Sequence, residues 1–278
     1  MLEIIQVGKT FTKNQKDLEV LSNINLQVPE GEFISLLGPS GCGKSTLLNM
    51  VAGLDKPSSG TITVSGKHVT CPGTDRVVVF QEAALFPWLT VLDNVCFGLK
   101  RLGLSKTETR QKASMTLKKV HLSKFLQAYP HELSGGMRQR VAIARALVMD
   151  PQILLMDEPF GALDEQTRLM LQKELEDIYL ETKKTILFVT HNIREAVLLS
   201  DHIIVLGTRP GRIIKGLRVR AARPRQHNDS DLIYLENKIM DILQVEIEKV
   251  AKEELDDDYT LTKDSFPWDP DRDLGSGI

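Results

Sequence analysis

The chain has 278 residues, 42% hydrophobic and 26% charged, with a formal net charge of −2, which suits one large globular domain or a domain with an appendage. It holds no apolar run near the ~18 residues of a membrane span and begins without the basic and apolar regions of a signal peptide. Its three cysteines lack metal-like spacing and suit reduced thiols, so we expect a soluble, intracellular protein.

The first third of the chain predicts β-structure that leads into a strand, a loop and a helix. The run Phe33–Leu37 is short, apolar and ended by Gly38, the form of a buried parallel strand. A helix is predicted from about Lys44 to Ala52, with Gly53 as its stop. Further strand-like stretches lie at 4–7, 20–21, 24–28 and 77–80.

The rest of the chain alternates helices with strands after a long helical region. The pattern is helical from 91 to about 148 and again at 165–180. Strands are predicted at 153–156, 186–189 and 203–206. Such alternation indicates an α/β fold with a mainly parallel core sheet, into which residues 91–150 are inserted as a helical subdomain.

The character of the chain changes after Ala222. We divide it into one large domain (1–222), a linker with an amphipathic helix (223–254) and an acidic tail (255–278) that we expect to be disordered. Residues 253–278 hold nine acidic and two basic side chains. A basic run at 209–225 is either a solvated strand edge or a contact for an anionic partner, and no nucleic-acid module accompanies it. The helix carries one apolar stripe, formed by Leu232, Leu235, Ile239, Leu243, Ile247 and Val250.

A glycine-rich loop joins the strand 33–37 to the helix that follows. The glycines let backbone N–H groups converge on phosphate oxygens, and the helix N-terminus adds partial positive charge. Lys44 would reach the β- and γ-phosphates, and the Ser45 hydroxyl would ligate Mg²⁺. The loop matches the pattern G-x-x-x-x-G-K-[ST] with Gly38, Pro39, Ser40, Gly41, Cys42, Gly43, Lys44, Ser45 and Thr46.

Two adjacent carboxylates end the apolar strand at 153–156. Asp157 is expected to orient the Mg²⁺ shell beside the phosphate loop. Glu158 points to the opposite side of the strand, so it is free to accept a proton from the attacking water as a general base. The alternative is a pair of solvated acids that cap a helix near Pro159.

A second glycine-bearing segment, Leu133 to Gln139, lies just before this acidic strand. Its start can open a helix and form a second exposed anion site. With both loops, the acidic pair and His191 in this order, the chain resembles the ATP-binding cassette family of transporter ATPases over about residues 1–220. The resemblance implies a P-loop NTPase cassette with an N-terminal antiparallel β subdomain, an inserted helical subdomain and a C-terminal helical extension. It also implies that the γ-phosphate of an ATP held by the opposite subunit binds Ser134, Gly135 and Gly136.

The resemblance assigns four more residues. Phe11 would stack on adenine, although a single aromatic after a first strand is otherwise a core residue. Gln81 would contact Mg²⁺ or water and sense the membrane partner, and Asp164 would link the two sites across the dimer. His191 would hydrogen-bond the γ-phosphate.

An apolar stretch at 83–89 is either local core or a docking groove for a helix of a membrane-embedded partner. Residues 86–95 and 209–213 resemble the nitrate, sulfonate, taurine and bicarbonate import branch of the family. The implied partners are a second ATPase subunit, identical or different, a permease dimer and, indirectly, a substrate-binding protein. The implied location is the cytoplasmic face of the plasma (inner) membrane.

The leading hypothesis is therefore an ATP-hydrolysing importer subunit for nitrate or nitrite, with bicarbonate and sulfonate or taurine as alternative cargoes. A non-transport cassette ATPase of translation or DNA repair and a nucleotide-dependent regulator are the hypotheses of a different class. Because Cys42 lies inside the phosphate loop, we expect a bulky thiol reagent to inhibit the protein and ATP to protect it.

Overall fold

The computed structural model describes residues 1–13, 16–226 and 228–254, and this part of the chain contains ten strands, seven α-helices and three short 3₁₀ helices. The strands are β1 (Leu2–Lys13), β2 (Lys16–Val28), β3 (Phe33–Leu37), β4 (Ser59–Val64), β5 (Lys67–His68), β6 (Arg76–Val79), β7 (Ile153–Asp157), β8 (Thr185–Thr190), β9 (His202–Gly207) and β10 (Arg212–Arg218). The helices are α1 (Lys44–Ala52), α2 (Val91–Leu99), α3 (Lys106–Lys119), α4 (Gly135–Leu147), α5 (Glu165–Thr182), α6 (Ile193–Leu199) and α7 (Ser230–Glu254).

The strands form two sheets, as the sequence predicts. A four-stranded sheet in the order β2-β1-β4-β5 is antiparallel throughout. A six-stranded sheet in the order β10-β9-β3-β8-β7-β6 is parallel except for β10, which runs antiparallel to β9 at its edge. The predicted α/β class, the antiparallel N-terminal subdomain and the C-terminal helical extension are confirmed.

An apolar cluster covers each face of the six-stranded sheet, because side chains alternate between the two faces along every strand. Ile34 and Leu36 of β3 point to one face, where they meet α1 and the antiparallel sheet. Phe33 and Leu37 point to the other face and pack with residues of α2 to α7. All five residues of β3 are buried, which explains why this strand reads as a continuous apolar run.

The predicted helical region 91–148 consists of three separate helices. Thr90 caps α2 by accepting from the Asp93 N–H, and Ser105 with Glu108 forms a complete capping box at the start of α3. The third helix, α4, begins after Ser134. The first residues of α4 belong to the second glycine segment.

Two arginines of the basic run anchor the segment that follows β10. Arg223 donates to Asp201 (2.8 Å) and to Glu176 (3.3 Å). The Arg225 guanidinium is buried and donates to main-chain carbonyls, including that of Ser200 at 2.6 Å. Burial lowers the pKa of Arg225 to about 10. These arginines are therefore structural, which neither interpretation of the basic run anticipated.

Helix α7 packs on the cassette with a shorter apolar stripe than predicted. Leu232, Ile239 and Leu243 are buried, whereas Ile247 is 42% exposed. In the next turn Glu246 is turned inward, where its carboxylate accepts from the Thr208 N–H at 3.1 Å. A polar contact thus lies beside Ile247 on this helix, and the side chain of Val250, the last residue of the predicted stripe, lies outside the described part of the structure. The proposed tail at 255–278 lies outside the described residues.

Candidate nucleotide-binding site

The phosphate loop lies between β3 and α1, at the carboxyl end of the central strand of the larger sheet. Gly41 and Gly43 adopt left-handed backbone conformations, with φ of +76° and +91°, that L side chains rarely adopt. At Gly38 a Cβ would lie 2.7 Å from the carbonyl oxygen of Leu206. The glycines of the motif are therefore required by backbone geometry, and the loop forms an anion cradle at the start of α1.

The Lys44 side chain lies back across the loop. Its Nζ donates to the carbonyls of Gly38 (2.8 Å) and Pro39 (2.9 Å) and lies 3.8 Å from Cys42 Sγ. Cys42 is fully buried, and burial raises the pKa of its thiol, against the opposing effect of the Lys44 charge. Inhibition by a bulky thiol reagent at Cys42 stays a prediction, and burial argues against it, because the side chain points into the core while its backbone forms the cradle.

Ser45 and Asp157 lie side by side at the mouth of this loop. The Ser45 hydroxyl donates to Asp157 Oδ1 at 3.0 Å. Burial raises the pKa of the Asp157 carboxyl, and the hydrogen bond from Ser45 opposes that rise. Two hard oxygen donors placed together suit Mg²⁺, which is usually held by one or two protein oxygens with phosphates and water. Within the described part of the chain no cluster of three or more His, Cys, Asp or Glu forms a closed metal site.

Glu158 and His191 form a pair beside these groups. His191 Nδ1 lies 2.8 Å from Glu158 Oε2, a hydrogen bond in which Nδ1 donates whenever the carboxylate is ionised. The backbone of Glu158 is left-handed, with φ of +45°, a conformation that costs a non-glycine residue ~1–3 kcal/mol and is concentrated at functional sites. Its N–H donates to the carbonyl of Val189, so the ends of β7 and β8 hold the strained residue in place.

Gln81 lies next to the turn that follows Glu158. A Cβ at Gly161 would lie 3.0 Å from Gln81 Nε2, and the Gly161 N–H donates to the Glu158 carbonyl at 3.0 Å. Gln81 is exposed just after β6. The structure therefore brings Gln81, the acidic pair and His191 to one edge of the sheet.

Ser134 and Asp164 each cap a helix. Ser134 Oγ accepts from the Met137 N–H (3.3 Å) at the start of α4, and Asp164 Oδ1 accepts from the Thr167 N–H (3.0 Å) at the start of α5. The hydrogen bonds from Thr167 lower the pKa of Asp164. Both caps are exposed, as is Gly135, whereas Gly136 is buried where a Cβ would clash with Thr167. The second glycine segment thus presents an open helix N-terminus.

Phe11 lies near the tip of the β1–β2 hairpin, opposite Leu18. It is 42% exposed, and the Lys9 ammonium lies 4.6 Å from its ring centroid. The alternative of a core aromatic is therefore excluded, and the ring is available for stacking.

The apolar stretch at 83–89 forms an exposed aromatic surface with α2. The rings of Phe86 and Phe97 are 4.4 Å apart, and Trp88 is 71% exposed. Arg145 of α4 fixes the stretch by donating to the carbonyls of Ala83 and Ala84. No sequence pattern singles out Arg145, because its partners are main-chain atoms. A groove of about 460 Å³ lies beside these rings and is lined mainly by apolar groups.

Comparison with known proteins decides the family. A family model described as ABC transporter matches residues 21–161. An uncharacterized ABC transporter ATP-binding protein of Methanocaldococcus jannaschii is 50% identical over 251 residues, which cover 90% of this chain and 94% of the relative. The chain belongs to the ABC transporter family.

Two further ABC relatives carry more specific names. A nitrate import ATP-binding protein of Synechocystis is 50% identical, over 78% of this chain and 82% of its own length. An aliphatic sulfonates import ATP-binding protein of Bacillus cereus is 44% identical, over 86% and 94%. The chain is therefore an ABC ATPase of an importer family.

Solved ABC cassettes share the fold. A dimeric bacterial ABC transporter cassette superposes with a TM-score of 0.71 at 36% identity, covering 80% of this chain and all of the cassette. Among the described residues, no helix combines the length and the apolar character that a membrane span requires.

Proposed function

We propose that this chain is the energy-coupling subunit of an importer whose cargo is nitrate or nitrite. Similarity to the nitrate import protein supports this cargo, and similarity to the sulfonate import protein keeps aliphatic sulfonates as the second candidate. Bicarbonate is the remaining alternative. The observation that carries the energy-coupling role is the site itself, where an Mg²⁺-type oxygen pair adjoins the Glu158–His191 pair, whereas the cargo rests on the similarity to the nitrate import protein.

In the proposed reaction, ATP binds the phosphate loop, with Phe11 stacked on the adenine and Lys44 moved onto the β- and γ-phosphates. Mg²⁺ held by Ser45, Gln81 and Asp157 would neutralise phosphate charge. Glu158 accepts the proton of the attacking water.

His191 holds the Glu158 carboxylate through Nδ1. A ring that donates there can donate to the γ-phosphate through Nε2 only as an imidazolium. The proposed role of His191 at the phosphate therefore requires either the protonated ring or release of the Glu158 contact.

We further propose that two ATPase subunits close around two ATP molecules. Ser134, Gly135 and Gly136 of one subunit would face the γ-phosphate bound by the other, and Asp164 would connect the sites. The dimeric structure of the similar cassette supports this arrangement. Closure favoured by ATP and reversed by hydrolysis is a population shift that does mechanical work on whatever is docked.

The docked partner is proposed to be a permease dimer, with a substrate-binding protein delivering the cargo. The exposed rings of Trp88 and Phe97 and their groove are the proposed contact. The chain would then lie peripherally on the cytoplasmic face of the plasma (inner) membrane. In domain terms, residues 1–222 would be the motor and 223–254 an extension that packs on it.

Uptake by a strain that lacks this chain tests the proposal. We expect uptake of labelled nitrate to be lost, and to be restored by the wild-type chain but not by Lys44→Ala, while uptake of an alkanesulfonate and of bicarbonate is unchanged. Loss of sulfonate or bicarbonate uptake instead would replace the cargo. Purification from membranes without any integral membrane protein would favour a non-transport ATPase or a regulator.

A further inference from the structure

The guanidinium of Arg168 holds the turn at 161–164. Arg168 of α5 donates through Nη2 to the carbonyl of Leu163 at 2.9 Å, and its Nε faces the carbonyl of Phe160 at 3.5 Å. Its Nη1 binds Glu165 at 2.7 Å. These contacts fix the main chain of the turn, because the carbonyl of Phe160, just before it, and that of Leu163, within it, face one rigid donor group.

The turn at 190–192, which carries His191, is held in a similar way by one carboxylate. Glu195 of α6 is 4% exposed, and its Oε2 accepts from Thr190 Oγ1 at 2.7 Å. Thr190 Oγ1 in turn accepts from the Asn192 N–H at 3.0 Å. Glu195 therefore holds Thr190, and through the Thr190 hydroxyl it also steadies the Asn192 N–H on the other side of His191.

The Arg168 guanidinium and the Glu195 carboxylate also pair with each other. Arg168 Nε lies 3.7 Å from Glu195 Oε1, which also accepts from Gln172 Nε2 at 3.2 Å. A buried carboxylate that loses its cationic partner destabilises the fold. Moving one turn away from the other would break the pair, so the two turns are expected to move together. Both turns also border Glu158, one through the Gly161 N–H and the other through His191 Nδ1.

We propose that the Arg168–Glu195 pair is a positioning link that joins the 161–164 turn to the 190–192 turn, so that His191 meets Glu158 only when the 161–164 turn is in place. The link rests on the proposed roles of Glu158 and His191. In the ATPase dimer it would make a displacement of the 161–164 turn alter the hydrolytic pair of the same subunit, although neither Arg168 nor Glu195 is among the proposed nucleotide-binding residues.

The test begins with Glu195→Gln, which keeps the size of the side chain and an oxygen for Thr190 but removes the charge that binds Arg168. We expect kcat of the purified chain to fall about tenfold, because small misplacements of reacting groups have effects of this size or larger. The KM for ATP should stay within about twofold, because the phosphate loop is untouched. The matched control is Glu165→Gln, which removes the other carboxylate of Arg168. Glu165 is 67% exposed and does not contact the 190–192 turn, so kcat of the Glu165→Gln variant should equal that of the wild type.

A double-mutant cycle with His191→Ala separates positioning from general damage. If the link acts through His191, Glu195→Gln should lower kcat of the His191→Ala variant by less than about twofold. A full tenfold loss in both backgrounds, or wild-type kcat in Glu195→Gln alone, overturns the link while leaving the proposed function intact. Wild-type kcat in His191→Ala alone overturns the proposed role of His191 and the link with it.

A second variant keeps the inference testable if Glu195→Gln does not fold. Arg168→Lys retains a cation beside Glu195 but lacks the fork that reaches the Leu163 carbonyl. We expect the same selective loss of kcat and the same lack of additivity with His191→Ala. Additive losses in this pair overturn the link as well.

Discussion

Glu158 combines a left-handed backbone with a carboxylate that lies 2.8 Å from His191 Nδ1. Glu158→Gln should lower kcat roughly 10²- to 10⁴-fold, the usual contribution of a general base. ATP binding should persist, since the phosphate loop does not involve this side chain. ATPase assays with a nucleotide-binding measurement check both expectations.

Size-exclusion chromatography adds a second readout for this variant. We expect Glu158→Gln to elute as a dimer in Mg-ATP, because a chain that binds but does not hydrolyse ATP stays closed. Near-normal turnover would refute the general-base assignment, and Glu165→Gln is the matched control for the loss of one carboxylate.

The thiols should differ sharply in reactivity. Cys71 is exposed, whereas Cys42 and Cys96 are buried and burial raises the pKa of both. Because the thiolate is the reactive form, a raised pKa leaves less of it at pH 8, and burial hinders access further. We expect a disulfide reagent to modify Cys71 rapidly and the other two slowly, with ATPase activity retained after the first event. Rapid labelling of Cys42, identified by peptide mass, would contradict the buried conformation.

At the residue scale, the sequence was informative where a motif constrains backbone and chemistry together. The phosphate loop and the pair Asp157 and Glu158 are recognisable because the residues that form each motif are adjacent in the sequence. Arg145 and the Arg168–Glu195 link do not, because their partners are carbonyls or lie 27 residues away. The burial of Cys42 was missed for a related reason, since a loop position does not reveal which way its side chain points.

At the scale of elements, helix α7 is the clearest case for a stability test. Ile239→Ala should reduce the free energy of unfolding by roughly 2–5 kcal/mol, because Ile239 is fully buried against the cassette. Urea denaturation measures this change.

The control lies two turns along the same helix. Ile247→Ala removes the same atoms from a side chain that is 42% exposed, and its effect should stay within ~0.5 kcal/mol. Equal losses in the two variants would mean that α7 does not pack as described.

Periodicity predicted α7 and its inward face but not where that face ends. Periodicity does not predict a charged residue on the buried face, but the buried Glu246 carboxylate is stabilised there because it accepts from the Thr208 N–H. The strands were easier, since β3, β7 and β8 are short apolar runs that only a sheet covered on both faces explains.

At the scale of the whole molecule, a composite site in a two-fold dimer makes a distinctive prediction. Lys44→Ala disables the phosphate loop, and Ser134→Arg blocks the second glycine segment with a bulky cation. Each variant alone should be nearly inactive. In a mixed dimer, one site carries both substitutions and the other site carries neither. About half of the dimers in an equal mixture are mixed, and each of these keeps one of its two sites, so the mixture should recover on the order of a quarter of wild-type ATPase activity.

Tagged subunits verify that the two variants exchange in the mixture. Wild-type activity of Ser134→Arg alone would mean that the second glycine segment does not contribute to hydrolysis. A mixture no more active than its components, despite exchange, would count against sites shared between subunits.

The left-handed backbone of Glu158 has a consequence for how this position can evolve. Glycine would adopt φ of +45° without strain, so Glu158→Gly offers a more stable fold with no base. Selection for stability and selection for turnover therefore oppose each other at this one codon. A lineage that no longer needed hydrolysis would be expected to lose the glutamate early, and its loss in a related chain would indicate a cassette that has become a switch or a scaffold.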